Sequence, residues 1–271
     1  MSAHTPRAEA HLRRDLVRYS LQMHAAGWVA NHDGNLSARV GDAGEPPRFV
    51  CTPTAFSKRD VTLDDLLVVD DRGQRLSGRA KPFSELNLHL GVYRLRADVG
   101  AVAHAHPPYA TAWGAAQRPL PHPFLPEAVV SLGAHIPLVP LSAPGQPALD
   151  ALAPWVRRCD AVLIAGNGAL AWGPTLELAY LRLELVEHVA RLAHHAEALG
   201  GVRPLDPALV RALVEKRAAA GLSCPEEEGA PRPTDDPALA AALGRVRAAF
   251  PAAPEAELRR LAAEALARAR A

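Results

Sequence analysis

The chain has 271 residues, of which 49% are apolar and 22% charged; that suits one α/β core with an appendage and excludes a disordered chain. A net charge of +1 gives no electrostatic pull toward nucleic acid or an anionic membrane, and no run of about 18 apolar residues is present to span a bilayer. Cys51, Cys159 and Cys224 are too scattered for a disulfide framework or a Cys-type zinc motif, and with no apolar leader at the N-terminus the expected setting is a reducing cytoplasm.

Residues 8–26 carry Leu12, Leu16, Tyr19, Met23 and Ala26 at helical spacing, and Gly27 ends that helix. A Gly34-Asn35 turn then feeds a short strand in which Leu36, Ala38 and Val40 share a face. FVCTP is a second strand, Thr62 caps a helical turn over LDDL, and LLVVD is a third strand closed by a turn at Asp71-Arg72-Gly73. Short strands joined by tight turns predict a largely antiparallel sheet. Next comes the helix SELNLHLGVYRLRA, with Ser84 as its expected N-cap and Leu86, Leu90 and Tyr93 on one face. The strand AVAHAH follows and stops at Pro107-Pro108.

Residues 109–117 read as helix, and 119–126 are too proline-rich for helix or strand. IPLVPL is a strand, ALDALAPWVRRC a short helix, and AVLIAGNGALAWG a hairpin around Gly166-Asn167-Gly168. The longest helix is expected over 175–199, capped by Thr175 and ended by Gly200-Gly201. We expect a main domain over 1–203 and a helical extension over 204–271. That extension holds a helix near 206–220, a Pro/acidic linker near 223–237, and helices over 237–249 and 254–270.

The chemistry concentrates between Lys81 and Trp113. Strand side chains alternate faces, so His104 and His106 project on the same side and can share one metal ion. A helix returning antiparallel to that strand can bring Glu85, at its start, back to the same end. Each feature also has an ordinary reading: histidines at a strand end, and a carboxylate placed favourably in the first turn of a helix.

Taken together, GNLSAR (34–39), TPTAF (52–56), DLLVVD with its glycine turn (65–73), KPFSELNLHLGVY (81–93), AVAHAHPPYATA (101–112) and the AVLIAGNGALAWG-plus-helix segment (161–187) resemble the class II aldolase/adducin superfamily. The resemblance covers roughly residues 10–200. It implies an α/β fold with three α/β/α layers and a mainly antiparallel central sheet. It also implies a homotetramer with sites near subunit interfaces, acting on a small molecule with no nucleic-acid or membrane partner.

By position, the resemblance makes Glu85 the catalytic acid/base and His104 and His106 two of three metal histidines, with Asn35, Thr54 and Ser84 gripping the substrate. It implies one divalent metal ion, Zn²⁺ by family. The activity implied is aldolase-type carbon–carbon cleavage, in which the metal stabilises an enediolate and Glu85 moves the proton.

The sequence departs from that pattern at three places. Asn167 stands where the family has its third metal histidine. Ala55 replaces a glycine after Thr54, and Phe83 replaces a serine before Ser84. Asn167 is a metal ligand on one reading and, on another, an Asn that tolerates left-handed backbone between glycines; His122 and His135 are the alternative third ligands. An amide oxygen in place of an imidazole hardens the site toward Mn²⁺, Fe²⁺, Co²⁺ or Mg²⁺. The alternatives to an aldolase are a decarboxylase, an epimerase, an iron-dependent enzyme of the same fold, or a non-catalytic adducin-like interaction protein.

Overall fold

The computed structural model describes residues 9–41, 45–121, 123–222, 224, 225, 246 and 261. Among these, β1 (Asn35–Val40), β2 (Arg48–Cys51), β3 (Leu67–Asp70), β4 (Arg75–Ser77), β5 (Ala101–Ala105), β6 (Leu138–Val139), β7 (Ala161–Ile164) and β8 (Ala169–Gly173) form one sheet. Its order is β4-β3-β2-β1-β5-β8-β7-β6, and only β6 and β7 run parallel.

Alternation along the strands sorts the core into two sides. Leu36, Ala38, Ala101, Ala103, Leu163 and Ala171 face a layer that includes α1 (Glu9–Ala25) and α6 (Leu176–Glu197). Val102, Val162, Leu170 and Trp172 face α2 (Leu86–Leu95) and α5 (Gln146–Val156). The result is the expected three-layer α/β/α arrangement. Gly91 shows how closely α2 and α5 approach: a Cβ there would sit 2.1 Å from Leu149 Cδ1. A side chain at 91 would have to displace the tip of Leu149 from the seam between the two helices.

Several local expectations change. The second helix begins at Leu86 with Glu85 in the cap position, and Ser84 does not cap it. The Ser84 hydroxyl instead donates to Glu85 Oε2 at 2.7 Å, so the charged neighbour outcompetes the backbone amides for it. IPLVPL contributes only the two residues of β6, because prolines flank it and remove ladder donors. Two short elements lacked a periodic signal: β4, and α4 (Pro126–Leu132), which opens on the last proline of the Pro-rich stretch. The Thr175 cap is as expected, its Oγ1 accepting from Leu178 N at 3.1 Å.

The remaining helices are α3 (Pro108–Ala115) and α7 (Pro207–Ala219). One compact unit comprises Met1–Glu227 and includes α7, whose Arg217 donates to the carbonyls of Val130 and Ser131 in α4. Glu228–Ala271 make a second unit, in which the helices expected over 237–249 and 254–270 lie outside the described residues.

Candidate active site

The strand pairing that builds the sheet also builds the site. Asn35 opens β1 directly opposite His104 on β5, and both side chains lie on the α2 side of the sheet. The start of α2 adds Glu85 to this row, where Asn35 Nδ2 donates to Glu85 Oε2 at 3.3 Å. Asn35 is buried, and its Oδ1 has no hydrogen-bond partner. An unpaired acceptor in that position costs free energy until a ligand or water group reaches it.

The two histidines are held differently. His104 Nδ1 lies 3.0 Å from the carbonyl oxygen of Ala169 on β8, an acceptor that requires this nitrogen to carry the proton. His106 follows the end of β5, is pinned by its own N–H to the Trp28 carbonyl, and sets Nδ1 3.2 Å from Asp33 Oδ2. The rings are 5.1 Å apart, centroid to centroid. With both δ nitrogens engaged, both ε nitrogens are left as acceptors, the orientation that outer-shell carbonyl and carboxylate partners impose on metal-binding histidines. Two imidazoles so prepared fit a divalent ion.

Among the described residues no group of three or more His, Cys, Asp or Glu side chains converges on one point. The rest of an ion's shell would therefore come from oxygen donors of other kinds. The β7–β8 turn is seated against the pair: a Cβ on Gly168 would lie 2.6 Å from His106 Cδ2 and 2.1 Å from the Ala105 oxygen, so only glycine fits. Asn167 precedes it, half-buried, its N–H closing the turn onto Ile164 O at 2.9 Å. Left-handed backbone belongs to Gly166 (φ 67°) and Gly168 (φ 68°) and not to Asn167, so the conformational explanation for an asparagine there does not hold. His122 lies outside the described residues, and His135 lines a separate apolar cavity with Phe124, Leu125 and Ile136.

Electrostatics follow from this packing. Burial, reinforced by His106, pushes His104 down to about 4 against the opposite pull of Glu85, the Ala169 carbonyl and Asp33. Burial also works to raise Glu85, but the Ser84 hydroxyl, His104, a backbone N–H and His106 together hold its carboxyl below the ordinary glutamate value. At neutral pH His104 is therefore a neutral imidazole and Glu85 an ionised carboxylate.

The substrate-side candidates lie on two tied loops: Thr54 N–H donates to the Lys81 carbonyl at 3.1 Å, linking the Thr54 loop to the one carrying Ser84. Ala55 adopts φ 59°, the left-handed conformation that glycine enters freely and alanine does not. Phe83 turns inward, buried and edge-on to His89 at 4.9 Å.

Sequence reading missed two residues here. Asp33 looks like part of a turn, yet it orients His106. Lys58 looks like a loop lysine, yet it is 1% exposed, with Nζ donating to the Phe56 carbonyl at 3.1 Å. Burial lowers it to about 8 while Asp33 and Glu85 draw it back up, which places its charge in the field of the site carboxylates.

The sequence matches the family model "Class II Aldolase and Adducin N-terminal domain" over residues 14–194. An L-fuculose phosphate aldolase from Methanococcus maripaludis is 32% identical over 169 residues, 61% of this chain and 86% of that protein. A 3-oxo-tetronate 4-phosphate decarboxylase from Pectobacterium atrosepticum is 30% identical over 190 residues, 68% of this chain and 84% of that protein. The solved structure of L-fuculose-1-phosphate aldolase from Thermus thermophilus superposes with a TM-score of 0.60 at 26% identity, covering 72% of this chain and all of that one.

Proposed function

The chain belongs to the class II aldolase and adducin family, and from that premise we propose a divalent-metal-dependent lyase that breaks a carbon–carbon bond in a small hydroxy-carbonyl or sugar-phosphate-like substrate. The observation that carries this reading is the meeting of Glu85, Asn35 and two histidines whose ε nitrogens are left as acceptors. A divalent ion bound there supplies positive charge for the negative charge that develops on substrate oxygens during cleavage. His104 and His106 would hold it, with the Asn167 amide oxygen as the third donor.

Glu85 does the proton chemistry. Its Oε2 receives both the Ser84 hydroxyl and the Asn35 amide, so Oε1 is the atom left to take and return a proton. A held carboxylate that stays ionised at neutral pH serves as base in condensation and, once protonated, as acid in cleavage. Asn35 Oδ1, Thr54 and Ser84 are the groups we assign to the substrate. The same reading has the protein work as a homotetramer with sites near subunit boundaries, in the cytoplasm.

A decarboxylase is the second reading, favoured by the similarity to 3-oxo-tetronate 4-phosphate decarboxylase. Both reactions leave a carbanion for Glu85 to protonate and differ in whether an aldehyde or carbon dioxide departs. The test is to load the protein with Zn²⁺ or Mn²⁺ and follow aldehyde and carbon dioxide release from L-fuculose 1-phosphate, 5-deoxy-D-ribulose 1-phosphate and 3-oxo-tetronate 4-phosphate. Glu85→Gln should lower turnover about 10²–10⁴-fold with metal content unchanged. Turnover that survives complete removal of metal would overturn the proposal.

A further inference from the structure

A second charged region lies at the opposite end of the same strands. Asn35 and His104 pair at one end of β1 and β5; at the other end, Arg39 N–H donates to the Gly100 carbonyl and Gly100 N–H to the Gly173 carbonyl at the end of β8. Four residues of extended strand separate Arg39 from Asn35, about 13 Å. Here a cavity of about 380 Å³ opens between β1, the turn before β5 and the start of α6, and Arg39, Arg96, Asp98, Leu178 and Arg182 line it.

The charges around this cavity do not balance locally. Asp160, fully buried behind it, accepts from Arg96 at 3.2 Å, Arg182 at 2.7 Å and Arg217 at 2.5 Å, so one carboxylate serves three guanidinium groups. Asp98 is committed to Arg96 through two bonds of 2.8 and 2.7 Å. Among the described residues no carboxylate pairs with Arg39: it donates to the Tyr93 carbonyl at 3.3 Å and lies 5.3 Å from the centres of the Phe49 and Tyr93 rings.

Two donors remain unused. Arg182 is 3% exposed and its Nε–H has no partner, and the Nε–H of Arg39 is likewise buried and unpaired. Guanidinium cannot relieve this by losing its proton, so the deficit persists as a cost unless a water or an anion oxygen supplies the acceptor. The same shortage shows in Arg182 itself: burial, with Arg217 and Arg96 repelling it, outweighs Asp160 and holds it below the usual arginine value.

We propose that this cavity is a binding site for a small oxyanion of phosphate chemistry, with Arg39 as its principal donor and Arg182 behind it. Planar guanidinium groups match two oxygens of such an anion at once, and the volume accommodates either free phosphate or the phosphoryl end of a small metabolite. The site is separate from the histidine pair and does not depend on the lyase reading, so occupancy would act on the protein from the far end of the catalytic strands.

The test uses the full chain stripped of metal and titrated calorimetrically with inorganic phosphate, and in a second arm with glycerol 3-phosphate. Wild type should bind at least one of the two, and Arg39→Met should weaken that binding by about tenfold or more. Arg118→Met, paired with Glu197 at the far end of α6 from the cavity, should leave it intact. Binding of inorganic phosphate alone identifies the free anion, and preference for the ester identifies a phosphorylated metabolite. If Arg39→Met proves unfolded by circular dichroism, Arg39→Lys replaces it and should still weaken binding, because it keeps the charge and removes the fork. Wild-type protein that binds neither anion, or Arg39 variants that bind as wild type does, would overturn the proposal.

Discussion

His106 meets Asp33 across 3.2 Å, and this contact fixes which imidazole nitrogen faces the site. The carboxylate favours the proton on Nδ1 and leaves Nε2 to a metal. Asp33→Ala removes the orienting partner without touching a ligand. Affinity for Zn²⁺ or Mn²⁺ should fall about 10–100-fold, read by competition with a chromogenic chelator. Unchanged affinity would show that the ring is positioned by the sheet alone.

The buried His104 makes stability of the metal-free protein depend on acid. Its folded value, about 4, lies below the 6.5 of an exposed histidine, so the unfolded chain takes up a proton in a range where the folded protein does not. The penalty is absent above pH 6.5 and grows as pH falls from there to about 4, reaching on the order of 2–3 kcal/mol. His89, fully buried with its pKa also pushed down, adds a loss of the same sign. Urea unfolding between pH 7.5 and pH 4.5 measures the slope, and His104→Gln should flatten it. An equal slope in that variant would remove His104 as its source.

The parts of the site that could be read from sequence are those fixed by strand and helix periodicity. His104 on β5 and His106 just past its end come together because they are two residues apart along extended chain, and Glu85 returns to them because α2 runs back along the sheet. Asp33 and Lys58 were invisible for a different reason. An aspartate in a turn and a lysine in a loop have ordinary local explanations, and only tertiary packing puts one beside His106 and buries the other. The Asp160 cluster is similarly non-local, since its three arginines come from positions 96, 182 and 217. Ser84 was misread because local propensity favours a serine cap, whereas the neighbouring carboxylate took its hydroxyl.

Ala55 offers a test of strain in the loop that carries Thr54. Its φ of 59° costs an L-residue about 1–2 kcal/mol, partly offset by the extra chain entropy that glycine loses on folding. Ala55→Gly should therefore raise stability by roughly 0.5–1 kcal/mol, against the usual direction for an alanine-to-glycine change. Thermal unfolding of the two proteins side by side decides it. A variant less stable than wild type would mean that the methyl packs well enough to outweigh the strain.

On the proposed reading, residue 167 decides how the shell of a bound metal is completed. The glycines on either side of it carry the left-handed backbone, so nothing in the turn's conformation requires an asparagine. Gly168 is clamped against Ala105 and His106 and holds the turn in place against the histidine pair. Asn167→His puts an imidazole on an unchanged turn. If the side chain reaches the ion, a third nitrogen donor should strengthen Zn²⁺ binding by at least about tenfold, while Mg²⁺ and Mn²⁺, which favour oxygen, gain less. Competition titrations with the three metals on wild type and variant give the ratio directly. Equal Zn²⁺ affinity in both proteins would exclude residue 167 from the shell and leave the two imidazoles with oxygen donors from substrate or solvent.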